Sequence, residues 1–218
     1  MMKFSALSLV LSSALLLAGC ASKTPTPSQY SGFLSDYSQL QPAQSASGAP
    51  VMRWVSADFN IENYRSVLVE RPQFYPAPTP HSQVSQQTLD DIALYLQQAI
   101  RLELAGRLRV VEHADRETLV LRSAITAVNL SPEGLKVYEV VPVALVAAAA
   151  STAAGTRDLN TEVYVELEVI DGRTSQPMTR VVRKGHGLQL ENDSTQLQLN
   201  DIKPALDTWA QDARLFKP

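Results

Sequence analysis

Asn160-Thr161-Glu162-Val163-Tyr164-Val165-Glu166-Leu167-Glu168-Val169-Ile170 alternates residue by residue between two chemistries. Thr161, Val163, Val165, Leu167 and Val169 fall on one side of an extended chain, with Glu162, Tyr164, Glu166 and Glu168 on the other. Successive side chains of a strand point to opposite faces, so this stretch predicts a strand with one face on the core and an acidic face away from it. Asp171-Gly172-Arg173-Thr174 supplies turn residues, and residues 178–190 return as the antiparallel partner. A row of carboxylates is what a metal site or glycosidic chemistry would use. The returning strand also brings Arg180, Arg183 and Lys184, and cross-strand ion pairs of ~0.2–1 kcal/mol each account for the row without a site. His186 stands between Gly185 and Gly187. Glycines there either soften a bend in the strand or let a ligand approach, which makes His186 and Glu166 the candidate ligand residues, with Glu162 beside them.

Working outward, residues 118–130 read as a strand with Leu119, Leu121, Ile125 and Ala127 on one face and Arg122, Thr126 and Val128 on the other. Shorter strands are predicted over 107–112, 66–70 and 51–55, the last carrying Trp54. Between them, Leu89, Ile92, Ala93, Leu96, Ile100 and Leu104 recur at three- and four-residue steps, which predicts a helix over 85–105. Ser85 or Thr88 is placed to cap its start and Gly106 its end. Ile202, Leu206, Trp209, Ala213 and Phe216 make a second stripe over 200–216, with Pro204 expected in the first turn. Pro72, Pro76, Pro78 and Pro80 make 71–80 an extended crossover, or a polyproline ligand for a partner's groove. The expected fold is α+β: a mainly antiparallel sheet of about five strands, two main helices on one face, and a small-residue apolar helical segment.

That segment, 140–154, is uncharged throughout and contains Val143, Leu145, Val146 and Ala149. It is shorter than the ~20 residues of a spanning helix. A buried core element, a surface for an envelope protein partner or self-association, and direct bilayer contact all remain open for it.

The N-terminus carries an address. Lys3 precedes an apolar run that ends in Leu17-Ala18-Gly19-Cys20, the leucine, two small residues and cysteine of a lipobox. Residues 1–19 are thus read as a signal peptide and Cys20 as the acylated, palmitate-bearing first residue of the mature chain, a membrane anchor. Ala21, not Asp, follows it, which favours the outer membrane with the domain facing the periplasm. Residues 20–50 are read as tether and N-terminal arm, and 51–218 as a single domain. Cys20 is the only cysteine, so a hydrophobic core has to hold the fold without disulfides. The net charge of -3 is spread over both signs with no basic block, which argues against nucleic acid as a partner.

In the arm, Gly32-Phe33-Leu34-Ser35-Asp36-Tyr37-Ser38-Gln39-Leu40, followed by Trp54 and Tyr64, resembles the opening of the bacterial lipoprotein family known as domain of unknown function 3313. The resemblance extends over most of the mature chain, including the small residues before Gly155 and the later Asp171 turn. It implies a lipoprotein with an α/β domain, and it carries over no catalytic residue. No nucleophile elbow, zinc-protease motif, phosphate-binding loop or Cys/His ligand spacing is present. With no cofactor motif either, the expectation is a non-enzymatic binding or assembly module of the envelope. The alternative is a periplasmic ligand binder or enzyme using Glu162, Glu166 and His186.

Overall fold

The computed structural model describes residues 24–78, 84–132, 159–191 and 195–218. Leu17, Ala18, Gly19, Cys20, His81 and the run 140–154, with Val143, Leu145, Val146 and Ala149, lie outside them. The strands are β1 (Gln41–Gln44), β2 (Pro50–Val55), β3 (Ser66–Val69), β4 (Gln73–Phe74), β5 (Arg109–Val111), β6 (Thr118–Pro132), β7 (Leu159–Asp171) and β8 (Pro177–His186). The helices are α1 (Gln86–Leu104) and α2 (Leu199–Leu215).

Among the described residues all eight strands join one sheet, in the order β1-β2-β8-β7-β6-β3-β5, with β4 on β6. The quoted stretch is its centre: β7 pairs antiparallel with both β6 and β8. The expected sheet of about five mainly antiparallel strands is therefore corrected to a larger, mixed one. Helix α1 lies between β3 and β5, and a crossover of that kind returns the chain parallel; β6 then lies parallel to β3 on its other side. The additional strands, β1 and β4, come from segments read as arm and as proline-rich crossover.

Both helices cover one face. Leu89, Ile92, Leu96, Ile100, Ile202, Leu206 and Trp209 join Val67, Leu119, Leu121, Val163 and Val165 in the main core. Burying each large aliphatic side chain contributes about 1.5–3 kcal/mol. The opposite face is covered by the arm, where Leu34, Leu40 and Val182 are buried with Tyr30, Phe33, Tyr37, Met52 and Trp54 around them. The sheet is thus the middle layer of three.

Local details depart from expectation for physical reasons. Thr126 is an extra residue, with Ile125 opposite Val165 but Ala127 opposite Tyr164. This bulge reverses the phase of β6, so Val128, not Ala127, continues the helix-facing row. Ser85 caps α1, its side chain accepting from the Thr88 amide. Gly106 is not a left-handed cap; the helix ends instead through amides of Arg107 and Leu108 on the Leu104 carbonyl. Pro204 sits in the second turn of α2, one turn further in than expected. Its missing N–H leaves the Asn200 carbonyl without an intrahelical donor, next to the Asp201 carbonyl, which accepts from the Leu188 amide.

Candidate functional site

The acidic row of β7 is not a solvent face. Glu166 is 0% exposed, and its carboxylate is filled by the arm. The Ser31 amide donates to Oε1 at 2.7 Å, and the Tyr37 hydroxyl and Leu34 amide to Oε2 at 2.5 Å and 3.4 Å. Glu168 holds Arg180 at 2.8 Å, the ion pair expected across the strands, and Arg180 reaches on to Asp36 and Ser35 of the arm. Arg180 also lies over the Trp54 ring and Arg122 over Phe33. Glu162 accepts from Tyr164 at 2.9 Å and pairs with Lys184 at 3.4 Å. Burial first, and then Glu166, push the Tyr37 hydroxyl up to about 12. Burial and Glu162 likewise raise Tyr164, and burial and Glu166 raise Tyr30. The row therefore works as a clamp for the arm.

His186 lies apart from Glu166. It is opposite Glu162 at the end of β8, 70% exposed, with Nδ1 3.8 Å from the Glu162 carboxylate. Its flanking glycines answer to α2. A Cβ on Gly185 would stand 2.8 Å from Ala205 Cβ and 3.0 Å from Trp209, and one on Gly187 would overlap the Asp201 carbonyl. Only glycine allows the helix this close to the strand. Asp171 organises the turn as expected: burial works to raise its carboxyl, but the amides of Thr174 and Arg173 and the hydroxyls of Tyr64 and Thr174 outweigh it and hold it low. Among the described residues no cluster of His, Cys, Asp and Glu is arranged to hold a metal ion.

The space that could hold a ligand lies on the other face, between sheet and helices. A cavity of about 530 Å³ runs from exposed Gln44, Ala46, Leu215 and Lys217 inward to buried Leu96, Leu121 and Val165. Pockets for small ligands are typically about 300–1,000 Å³, mostly apolar with a few placed polar groups. Two such groups are present here. Arg183 projects from β8 into the apolar face, its side chain 8% exposed, lying over Trp209 and donating to Asp212 of α2 at 2.8 Å. Burial pulls this guanidinium below the ordinary arginine range, against the opposing pull of Asp212. Asp212 also receives the amide and hydroxyl of Ser47, which fastens the β1–β2 turn over the mouth. Arg183 Nε and the Ser123 hydroxyl on β6 have no hydrogen-bond partner among the described residues, although both are buried.

Grouping Arg183 with Arg180 and Lys184 as partners of the acidic row misplaced it. Arg183 stands opposite Val165, whereas Arg180 stands opposite Glu168. The signal was available: three residues from Arg180, Arg183 is in the apolar phase of its strand, and a charge there requires a buried partner.

An α+β domain with one sheet face strapped by its own N-terminal arm and the other roofed by two helices over a cavity is the class these features define. The chain belongs to the family described as Protein of unknown function (DUF3313), whose model matches residues 29–213, arm included. The Uncharacterized lipoprotein YdcL of Escherichia coli (strain K12) is 44% identical over 202 residues, covering 93% of this chain and 91% of its own. By that relationship the chain is a lipoprotein of unknown function. Among solved structures, the PelC dodecamer from Paraburkholderia phytofirmans aligns at 11% identity and a TM-score of 0.39, covering 74% of this chain and 96% of that one. Lipoprotein GNA1162 from Neisseria meningitidis aligns at 14% identity and 0.32, covering 66% and 96%.

Proposed function

We propose that this is a lipid-anchored envelope lipoprotein, held at the periplasmic face of the outer membrane through Cys20, that binds an apolar ligand and is not an enzyme. The observation that carries the reading is the cavity of about 530 Å³ between the sheet and the two helices, with exposed residues at one end and core residues at the other. The carboxylates that acid-base chemistry would need support it from the opposite side: Glu162, Glu166 and Glu168 are engaged by Lys184, Tyr164, Tyr37, Arg180 and arm amides. Among the described residues no helix is long and apolar enough to cross a membrane, so acylation of Cys20 is the attachment this reading uses.

Two measurements test it. Density-gradient fractionation should place the wild-type chain with outer membranes and release the Cys20→Ala chain; recovery of both in the same fraction refutes the anchor. In isolated membranes holding the full chain, a neutral long-chain alcohol bearing a diazirine should deposit adducts on residues 119–123 and 165–169. Adducts confined to exposed positions such as Leu102 refute the cavity as a binding site. The uncharged run 140–154 motivates a second contact, with an envelope protein or a second copy. Photocrosslinking from Val143, Leu145, Val146 and Ala149 tests it, a discrete protein adduct supporting the contact and intramolecular adducts alone removing it.

A further inference from the structure

We infer that the cavity takes a single-chain amphiphile with an anionic head group, the head meeting Arg183 and the acyl chain lying along Leu96, Leu121, Val165 and Leu167. This rests on the reading of the cavity as a binding site and adds the ligand's chemistry. The charge balance of the lining decides the sign. Arg53, Arg183 and Lys217 face the space against one carboxylate, Asp212. Both Asp212 oxygens are already occupied, one by the Ser47 amide and the other by Arg183 and the Ser47 hydroxyl. Among the described residues the Nε–H of Arg183 remains unpaired, in a side chain more than nine-tenths buried. A buried donor without an acceptor is costly, and a charged one more so; an anionic ligand atom removes that cost.

Ser123 supplies a second polar point. Its hydroxyl, unpaired among the described residues, lies on β6 in line with Leu167 and Val181, two strands from Arg183 and two residues along from it, roughly 12 Å away at ordinary strand spacings. A hydroxyl or ester oxygen further along the same ligand would satisfy it. The remaining lining is aliphatic and aromatic, and the mouth lies between the β1–β2 turn and the end of α2, where Gln44, Ala46, Leu215 and Lys217 are exposed. A free fatty acid and a lysophospholipid share the chemistry this arrangement recognises.

The test compares two probes of equal chain length, a diazirine-bearing palmitate and the matching neutral alcohol, on isolated membranes carrying the full lipidated chain, without the cofactors that would activate the acid. Adducts are mapped by mass spectrometry. The palmitate probe should label residues 119–123 and 165–169 about tenfold more than the alcohol, the discrimination expected of one charge-assisted hydrogen bond. Replacing the ion pair as a whole, Arg183→Met with Asp212→Leu, conserves volume and should keep the fold while reducing that ratio to near one. Leu121→Trp should remove labelling by both probes. Excess unlabelled palmitate or lysophosphatidylglycerol should displace the adduct, and the more effective competitor identifies the source. Equal labelling by acid and alcohol in the wild type, or displacement by neither competitor, overturns the anionic ligand and leaves the cavity reading standing. Absence of cavity adducts with either probe overturns both.

Discussion

Changing Tyr37 to Phe removes one oxygen from the clamp that holds the arm and leaves the ring stacked on Tyr30, whose centroid is 4.8 Å away. That oxygen donates to Glu166 at 2.5 Å and accepts from the amides of Gly32 at 2.8 Å and Leu34 at 3.1 Å. A hydrogen bond to a charged group contributes about 1.5–3 kcal/mol net. Gly32 is exposed, so its amide regains water when the hydroxyl is lost. The expected loss of arm docking is therefore about 2 kcal/mol, a factor of roughly 30 in the opening equilibrium. Hydrogen exchange reads this directly. The amides of Ser31 and Leu34 should exchange roughly 30-fold faster in the variant, while those of Val165 and Leu167 change by less than about threefold. The control matters, because β7 is held by β6 and β8 whether or not the arm is docked. If the arm and β7 amides accelerate together, the arm does not open separately. If neither changes, the Tyr37 hydroxyl's bond to Glu166 is not what holds it.

Four further outcomes follow from contacts across the fold. Gly187→Ala forces a methyl against the Asp201 carbonyl and should cost about 1–3 kcal/mol, seen as a lower urea midpoint with an unchanged slope; an unchanged midpoint would mean that α2 is free to move off β8. Arg183→Met alone leaves Asp212 without its buried cation and should destabilise by about 3–5 kcal/mol, whereas the double change with Asp212→Leu should be near neutral in chemical denaturation. At alkaline pH the folded-state pKa of Tyr37, about 12, lies above the ~10 of an unfolded tyrosine, so its stabilisation is whole below pH ~10 and lost as the pH rises toward 12. Proteolysis within the arm should begin in that window. For Asp171, held below the ordinary range, the sign is reversed: its contribution is present above pH ~4 and lost as the pH falls through the lowered value, as a pH series of denaturation midpoints would show.

The central strand was legible because its alternation is strict, and α1 and α2 because their apolar stripes hold the helical period over several turns. What covers the acidic face was not. Ser31 and Tyr37 lie 135 and 129 residues from Glu166, and nothing local to the glutamate names them. The phase reversal at Thr126 was hidden for a different reason: β6 is buried on both faces there, so Ala124, Ile125, Thr126, Ala127 and Val128 carry no polar-apolar contrast to mark the extra residue. The glycines around His186 were ambiguous because a glycine records only that something comes close. The structure supplies its identity, the backbone and side chains of a helix that follows later in the chain. Arg183 was readable, and the parity of its strand position was the clue.

A domain pulled by its N-terminus must take the load somewhere. Were Cys20 the anchor, tension drawn from the N-terminal side would meet the Ser31 and Tyr37 contacts to Glu166 before it reached β1, the strand at the margin of the sheet among the described residues. Force would then be delivered sideways into β7, which has a neighbour on each side, while the margin that would unzip most readily stayed slack. Envelope lipids drift and shear, and a protein moored to them through its weakest strand would peel from that end. A chain anchored at Cys20 would have its mooring cleated amidships.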